Sequence, residues 1–224
     1  KDIRKWYCDR ILEFDEEHKL SLQWLVKTIN DRLPKKYRFL LNSLTICMLD
    51  NSLENGFPHT HKDCIFFSKR ILDRLNSYRV KDNIDGAIKS IGITLIHEQV
   101  HVLQREYPNL FKELYTDYWT FIYNKKPIEG INKYIDINRT NPDGTDLSWI
   151  LDINNKKILI LSPYKLNSKI HLGNVDIIGI YLKDNGRDMT IEGVDDLVNI
   201  DEYRNYYNLY VNHYHPNEIS AELI

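Results

Sequence analysis

The sequence predicts an α+β fold. A small sheet packs on one buried helix, a mostly β stretch follows, and helix returns at the C-terminal end. Three observations carry that expectation. From residue 91 to 103 the chain reads Ile-Gly-Ile-Thr-Leu-Ile-His-Glu-Gln-Val-His-Val-Leu, apolar nearly all round, which is the pattern of a buried helix. Ahead of it lie two short apolar runs rich in β-branched and aromatic residues, at 43–49 and 59–68. Beyond Pro127 strand-length apolar runs alternate with turn residues, until a stripe of tyrosines at helical spacing begins near residue 203.

Taken in order, residues 2–33 read as helix in two segments. Ile3, Tyr7, Ile11 and Phe14 share one face, and Leu22, Leu25, Ile29 and Leu33 share another. Asp15-Glu16-Glu17 separates the segments, and Pro34 ends the second. Trp6 and Trp24 are read as core anchors. Residues 43–49 form a buried strand, and a turn follows at Asn55-Gly56-Phe57-Pro58. Residues 59–68 are read as one second strand at a sheet edge, with His59 and His61 facing the same way. Two histidines so placed are an alternative metal site, but such residues more often line a cleft or face solvent. Ile71, Leu72, Leu75 and Tyr78 mark a helix, and the polar break at residues 82–86 has capping character. The buried helix is expected over about 84–106. Pro108 then opens another, with Leu110, Phe111, Leu114, Tyr115, Tyr118, Trp119 and Ile122 on one stripe.

The later part reads differently. Asn141-Pro142-Asp143-Gly144 is a turn. Residues 149–153 and 158–161, joined through Asn154-Asn155-Lys156-Lys157, make a hairpin. Residues 175–182 and 189–191 are further strands around Asp184-Asn185-Gly186. Helix is expected from near Asp195, with Tyr203, Tyr206, Tyr207, Tyr210 and Tyr214 in register. No repeat or low-complexity linker divides the chain. The expectation is therefore one unit over 1–224, with N-terminal helices at 1–40, an α/β lobe at 41–125, a β-rich insert at 126–193 and a helical segment at 194–224.

Composition limits the function classes. A net charge of −2 gives no case for nucleic acid or an anionic membrane as partner. No run of 18 apolar residues exists, so no membrane span is expected. Cys8, Cys47 and Cys64 are sparse and lack a C-x-x-C pattern. They are read as reduced, buried thiols, which leans towards an intracellular setting.

The chemistry concentrates in His97-Glu98-Gln99-Val100-His101, the pattern H-E-x-x-H. Four residues advance a helix by about 6 Å and slightly more than one turn, so His97 and His101 lie one above the other. Two such imidazoles can reach one ion at about 2.0–2.1 Å, and zinc is the usual choice. Glu98 lies one step round, close enough to take a proton from a metal-bound water, as in zinc metallopeptidases. An amphipathic helix with two solvated histidines would show the same letters. Its flanks would then be polar on one side, and here they are not. Buried His and Glu need partners.

Catalytic zinc takes three protein ligands and leaves a fourth position to water. Near the end stand His213, Tyr214, His215, Pro216, Asn217, Glu218, Ile219, Ser220, Ala221 and Glu222. Pro216 can open a helix, which sets Glu218 and Glu222 on one face. One carboxylate can ligate, and the other can hold the free ring nitrogen of a ligating histidine. His213, His215 and Asp117 are the rivals for the third ligand. H-E-x-x-H followed by Asn217-Glu218-x-x-Ala221-Glu222 resembles the gluzincin, thermolysin-like group of zincin metallopeptidases. Residues 215–222 are also similar to the H-P-x-E-x-x-A-E stretch of other zincin-like proteins. The resemblance implies a zincin-like fold, Zn2+ held by His97, His101 and Glu218, Glu98 as general base, and Glu222 as partner to His97. It implies a peptide or protein substrate lying along the strand Cys64–Ser68, and hydrolysis by water that Glu98 activates on zinc. Oxyanion help is expected from Tyr214, His213 or a tyrosine of 203–210. The alternative is a zincin-fold structural or partner-binding module that retains zinc with little turnover.

Overall fold

A computed structural model describes residues 3–139, 147–165, 174–207 and 215–223. The expected turn at residues 141–144 lies outside them. The architecture is mixed α+β, as expected, in two compact units, Lys1–Pro108 and Asn109–Leu223. The division falls just after the histidine helix, inside the stretch expected to be a single α/β lobe. Among the described residues no helix is long and apolar enough to cross a membrane.

The first unit opens with α1 (Ile3–Cys8), a short strand β1 (Ile11–Leu12) and α2 (Glu16–Arg32). Residues 2–33 are thus not two helical segments alone. Ile11 and Leu12 pair antiparallel with Leu49 and Met48, and that pairing outweighs the local helical pattern. Asp15 caps α2 by accepting from the His18 amide at 2.8 Å. The sheet continues with β2 (Thr45–Leu49), β3 (His59–His61) and β4 (Cys64–Ser68), in the order β1-β2-β4-β3. Residues 59–68 are therefore a hairpin, not one strand. It turns at Lys62, whose φ is +55°. The edge strand is His59–His61; Cys64–Ser68 lies inside the sheet, parallel to β2, and cannot offer an open edge.

Helix α3 (Lys69–Val80) buries Leu72 and Leu75, and His18 of α2 bonds its Asp73 at 2.9 Å. Then α4 (Ile84–Ala87), a π-helical turn at Ile88–Gly92 and α5 (Ile93–Glu106) run on continuously. Asn83 caps the start through the Gly86 amide at 2.9 Å. A Cβ at Gly92 would stand 3.2 Å from Ile29 Cδ1, so the glycine lets α2 approach. Leu25, Ile65, Phe67, Leu72, Leu75 and Leu95 form the centre of this core, each fully buried. At about 25 cal/mol per Å² of apolar surface, side chains of this kind contribute roughly 1.5–3 kcal/mol each. Trp24 packs against this core, and Trp6 against a smaller cluster around Leu49, Leu53 and Phe66. The cysteine expectation needs correction: Cys8 is exposed, while Cys47 and Cys64 are half-buried, with sulfurs 2.7 Å apart.

The second unit begins with α6 (Pro108–Glu113) and a π-helical turn at Leu114–Tyr118. The aromatic stripe expected to carry one helix to Ile122 breaks at Thr120, whose φ is +57°. Phe121–Tyr123 is β5, followed by β6 (Ile128–Glu129), α7 (Asn132–Ile135), β7 (Trp149–Ile153), β8 (Lys156–Leu161), β9 (Ile178–Asp184) and β10 (Met189–Asp196). They form one six-stranded sheet, β5-β7-β8-β9-β10-β6, antiparallel except for β10 with β6. The β region thus exceeds the expected 126–193 at both ends. Asn154 and Asn155 both have positive φ, as a two-residue hairpin turn of type I′ requires. Helix does not return at Asp195, because β10 is still paired there with Gly179 of β9. It returns at α8 (Asp201–Tyr207) and α9 (Pro216–Leu223). Gly179 is a point of close approach, where a Cβ would lie 2.2 Å from Ile200 Cδ1 and 2.9 Å from Ile158 Cγ2.

Candidate metal centre

Helix α5 brings the histidines together by its pitch alone. The Nε2 atoms of His97 and His101 lie 3.1 Å apart, with ring planes at 83°. Two nitrogens sharing a tetrahedral ion at about 2.0–2.1 Å stand roughly 3.3 Å apart, so the pair fits such an ion. His101 is 2 % exposed, and its Nδ1 lies 2.9 Å from Gln104 Oε1. An amide oxygen only accepts, so Nδ1 carries the hydrogen and Nε2 is left as a lone pair, the form a metal requires. Gln104 is absent from the residues that the H-E-x-x-H pattern marks, but its place three residues after a histidine on one helix is a readable signal. Glu98, beside His97 in sequence, is buried.

The same helix lies along the edge strand. Arg105 Nε donates to the Lys62 carbonyl at 2.8 Å, at the turn where β3 ends. Toward its other end, Ile91 and Thr94 share a cavity with Phe57 and Pro58, where β3 is about to begin. Helix and strand therefore run in the same direction, with the histidines alongside β3.

In the second unit α9 carries Glu218, which is 8 % exposed. Pro216 occupies its first position, and the Asn217 amide donates to His215 Nδ1 at 3.1 Å. His215 thus serves as a helix cap. The Tyr115 hydroxyl donates to Asn217 Oδ1 at 3.0 Å and lies 3.1 Å from Ser220 Oγ, gripping α9 on both sides of Glu218 in sequence. Burial pushes the Tyr115 hydroxyl well above its usual pKa; the Ser220 contact opposes this and the Glu218 charge adds to it. In the sequence Tyr115 shows only as one member of an aromatic stripe.

His97, His101 and Glu218 form a group whose ligand atoms all lie within 4.8 Å of one another, and it could hold a metal ion. Among the described residues it is the one group of three or more such side chains. The rivals among the described residues do not join it. Asp117 is exposed and accepts from the Thr116 hydroxyl. His59 stacks on Phe66, 5.2 Å between ring centres, and His61 is exposed. His213 and Tyr214 lie outside the described residues, as does Tyr210. Tyr206 and Tyr207 donate their hydroxyls to the carbonyls of Tyr118 and Trp119; Tyr207 is buried and Tyr206 exposed. Glu222 stands one turn beyond Glu218, exposed on α9. No protein-family model, curated protein or solved structure matches the chain.

Proposed function

We propose that this chain is a zinc-dependent metallopeptidase of the zincin type, with His97, His101 and Glu218 holding the ion and Glu98 acting as general base. The observation that carries the reading is the buried two-histidine, one-carboxylate group with a buried glutamate beside its first histidine. That donor set is one of the catalytic zinc types, and it leaves a position for water. Bound zinc would supply Lewis acidity towards a water and a substrate carbonyl. The chain's own part is proton handling and orientation. Glu98 takes the proton of the attacking water and returns it to the leaving amine. Gln104 fixes the His101 tautomer, and Tyr115 steadies the helix that bears Glu218. Glu222 is assigned to the second ring nitrogen of His97. A structural zinc has no use for a glutamate at position 98, which favours an enzyme over a binding module.

Glu98→Gln tests this. The variant is expected to keep one zinc per chain by elemental analysis and to lose about 10²–10⁴-fold in hydrolysis of a fluorogenic casein. Cleavage at the wild-type rate would overturn the role of Glu98. Zinc-loaded wild-type protein that cleaves no peptide would leave the module reading in its place.

A further inference from the structure

Within the first unit lies a cavity of about 210 Å³ that the proposed mechanism does not use. Phe67 and Ile91 are its buried floor, and Phe57 and Pro58 lie on the side of the edge strand. Ser90 and Thr94 belong to the helical run of the histidines, and Arg70 and Arg74 come from α3. It is smaller than the roughly 300–1,000 Å³ of pockets for drug-sized ligands and suits a single side chain.

Its charge is one-sided. Arg70 and Arg74 are four apart on α3, so their guanidinium groups share a face and repel each other. The other cations of α2 and α3 sit with carboxylates, as Lys69 does with Asp73 and Arg32 with Asp85. Among the described residues neither Arg70 nor Arg74 has a carboxylate within ion-pair distance. The backbone brings the first of them to the cavity. Gly56, at φ +74°, has its missing Cβ position 3.1 Å from Arg70 Nη2, so the guanidinium lies where a larger residue would need room. The Ser68 hydroxyl donates to the Gly56 carbonyl at 3.0 Å and holds that turn in place. Two arginines over an apolar floor match an acidic side chain, whose stem packs on carbon while its carboxylate takes the guanidinium hydrogens.

The position of the cavity gives it a use. Thr94 is one helical turn before His97, and Ser90 one turn earlier still, or about 5–10 Å back along the axis. Pro58 leads directly into β3. An extended chain advances about 3.3 Å per residue, so the cavity is within about three residues of a bond held at His97. We propose that this cavity receives a carboxylate of the substrate, the side chain of an Asp or Glu within about three residues of the cleaved bond. The proposal rests on the peptidase reading for its purpose, but not for its test.

Binding is measured on the full-length Glu98→Gln chain, by anisotropy of three fluorescein-labelled octapeptides of Ala and Leu. One has a central Glu and an amidated end, the second has Gln in its place, and the third is the Gln peptide with a free C-terminal carboxylate. The Glu peptide is expected to bind about tenfold or more tightly than its Gln counterpart, as a charge-assisted hydrogen bond allows. Replacing both arginines by Gln should abolish the difference, and replacing both by Lys should retain part of it. Equal binding of the first two peptides, undetectable binding included, overturns the proposal, as does a preference that survives the Gln double variant. If the third peptide alone gains, the cavity takes a chain terminus and the side-chain assignment is wrong. Discrimination without casein cleavage by the wild type would sink the peptidase reading and leave the cavity standing; cleavage without discrimination does the reverse.

Discussion

The two units bring their residues to the metal group by different physics. In Lys1–Pro108 the histidines are placed by local geometry: one helix, one pitch, five consecutive residues, and a tautomer fixed three residues on by Gln104. In Asn109–Leu223 the carboxylate sits on an eight-residue helix, too short to be stable alone. That helix is gripped by a hydroxyl from the distant Tyr115. The first half of the group should therefore be the less sensitive to change in the surrounding fold. The second half is as good as a few long-range contacts.

Perturbing each unit separately sharpens the contrast. The largest effect is expected from Gly179→Ala. Two isoleucines must move to admit one methyl group, and overpacking of this kind costs about 3 kcal/mol. Hydrogen exchange should accelerate across β7–β10, and equal acceleration in α5 would break the distinction between the units. Gln104→Leu removes the acceptor on His101, and zinc affinity should fall about 10–100-fold in a chelator competition. Tyr115→Phe should also weaken zinc, by loosening α9. If it leaves affinity untouched, Glu218 needs no long-range support. A smaller effect, of opposite sign, is expected at Gln99. Its amide is 1 % exposed and has no hydrogen-bond partner among the described residues. Gln99→Leu should raise stability by about 1 kcal/mol in urea unfolding. A loss would mean that the amide has a role.

Alkaline pH gives the mildest probe. Burial, then the neighbouring Glu54, raises Tyr7 from 10.0 to about 12, and burial pushes Tyr203 and Tyr207 up as well. A raised folded-state pKa means that ionisation favours unfolding. The stabilisation is complete below pH 10.0 and is lost as pH rises towards the folded-state values. An absorbance titration at alkaline pH should show these phenols ionising late in the native protein and together with the others in urea.

The same contrast explains what could be read in advance. The histidine helix, the Pro216 start of α9 and the Asn154-Asn155 hairpin are local, and each follows from spacing or from a turn residue. Lys62-Asp63 turns a hairpin without Gly or Asn, so His59–Ser68 looked like one strand and its inner half like an edge. Leu110 to Ile122 holds a helical stripe, yet Phe121 and Ile122 pair with Leu151 and Ile150, which no local pattern announces. Gln104 is legible once His101 is taken as a ligand, whereas the grip of Tyr115 depends on the tertiary fold.

The cysteines lend themselves to chemical labelling. Burial, then its contact with Cys47, pushes the Cys64 thiol far above its usual pKa, so at neutral pH it is a poor nucleophile. Cys8 is exposed at the end of α1. Because Cys47 and Cys64 are half-buried and Cys8 is exposed, a maleimide dye added in equimolar amount should attach at Cys8, which peptide mapping would verify. The native sequence thus offers a single spectroscopic handle on the histidine-bearing unit, without an engineered cysteine.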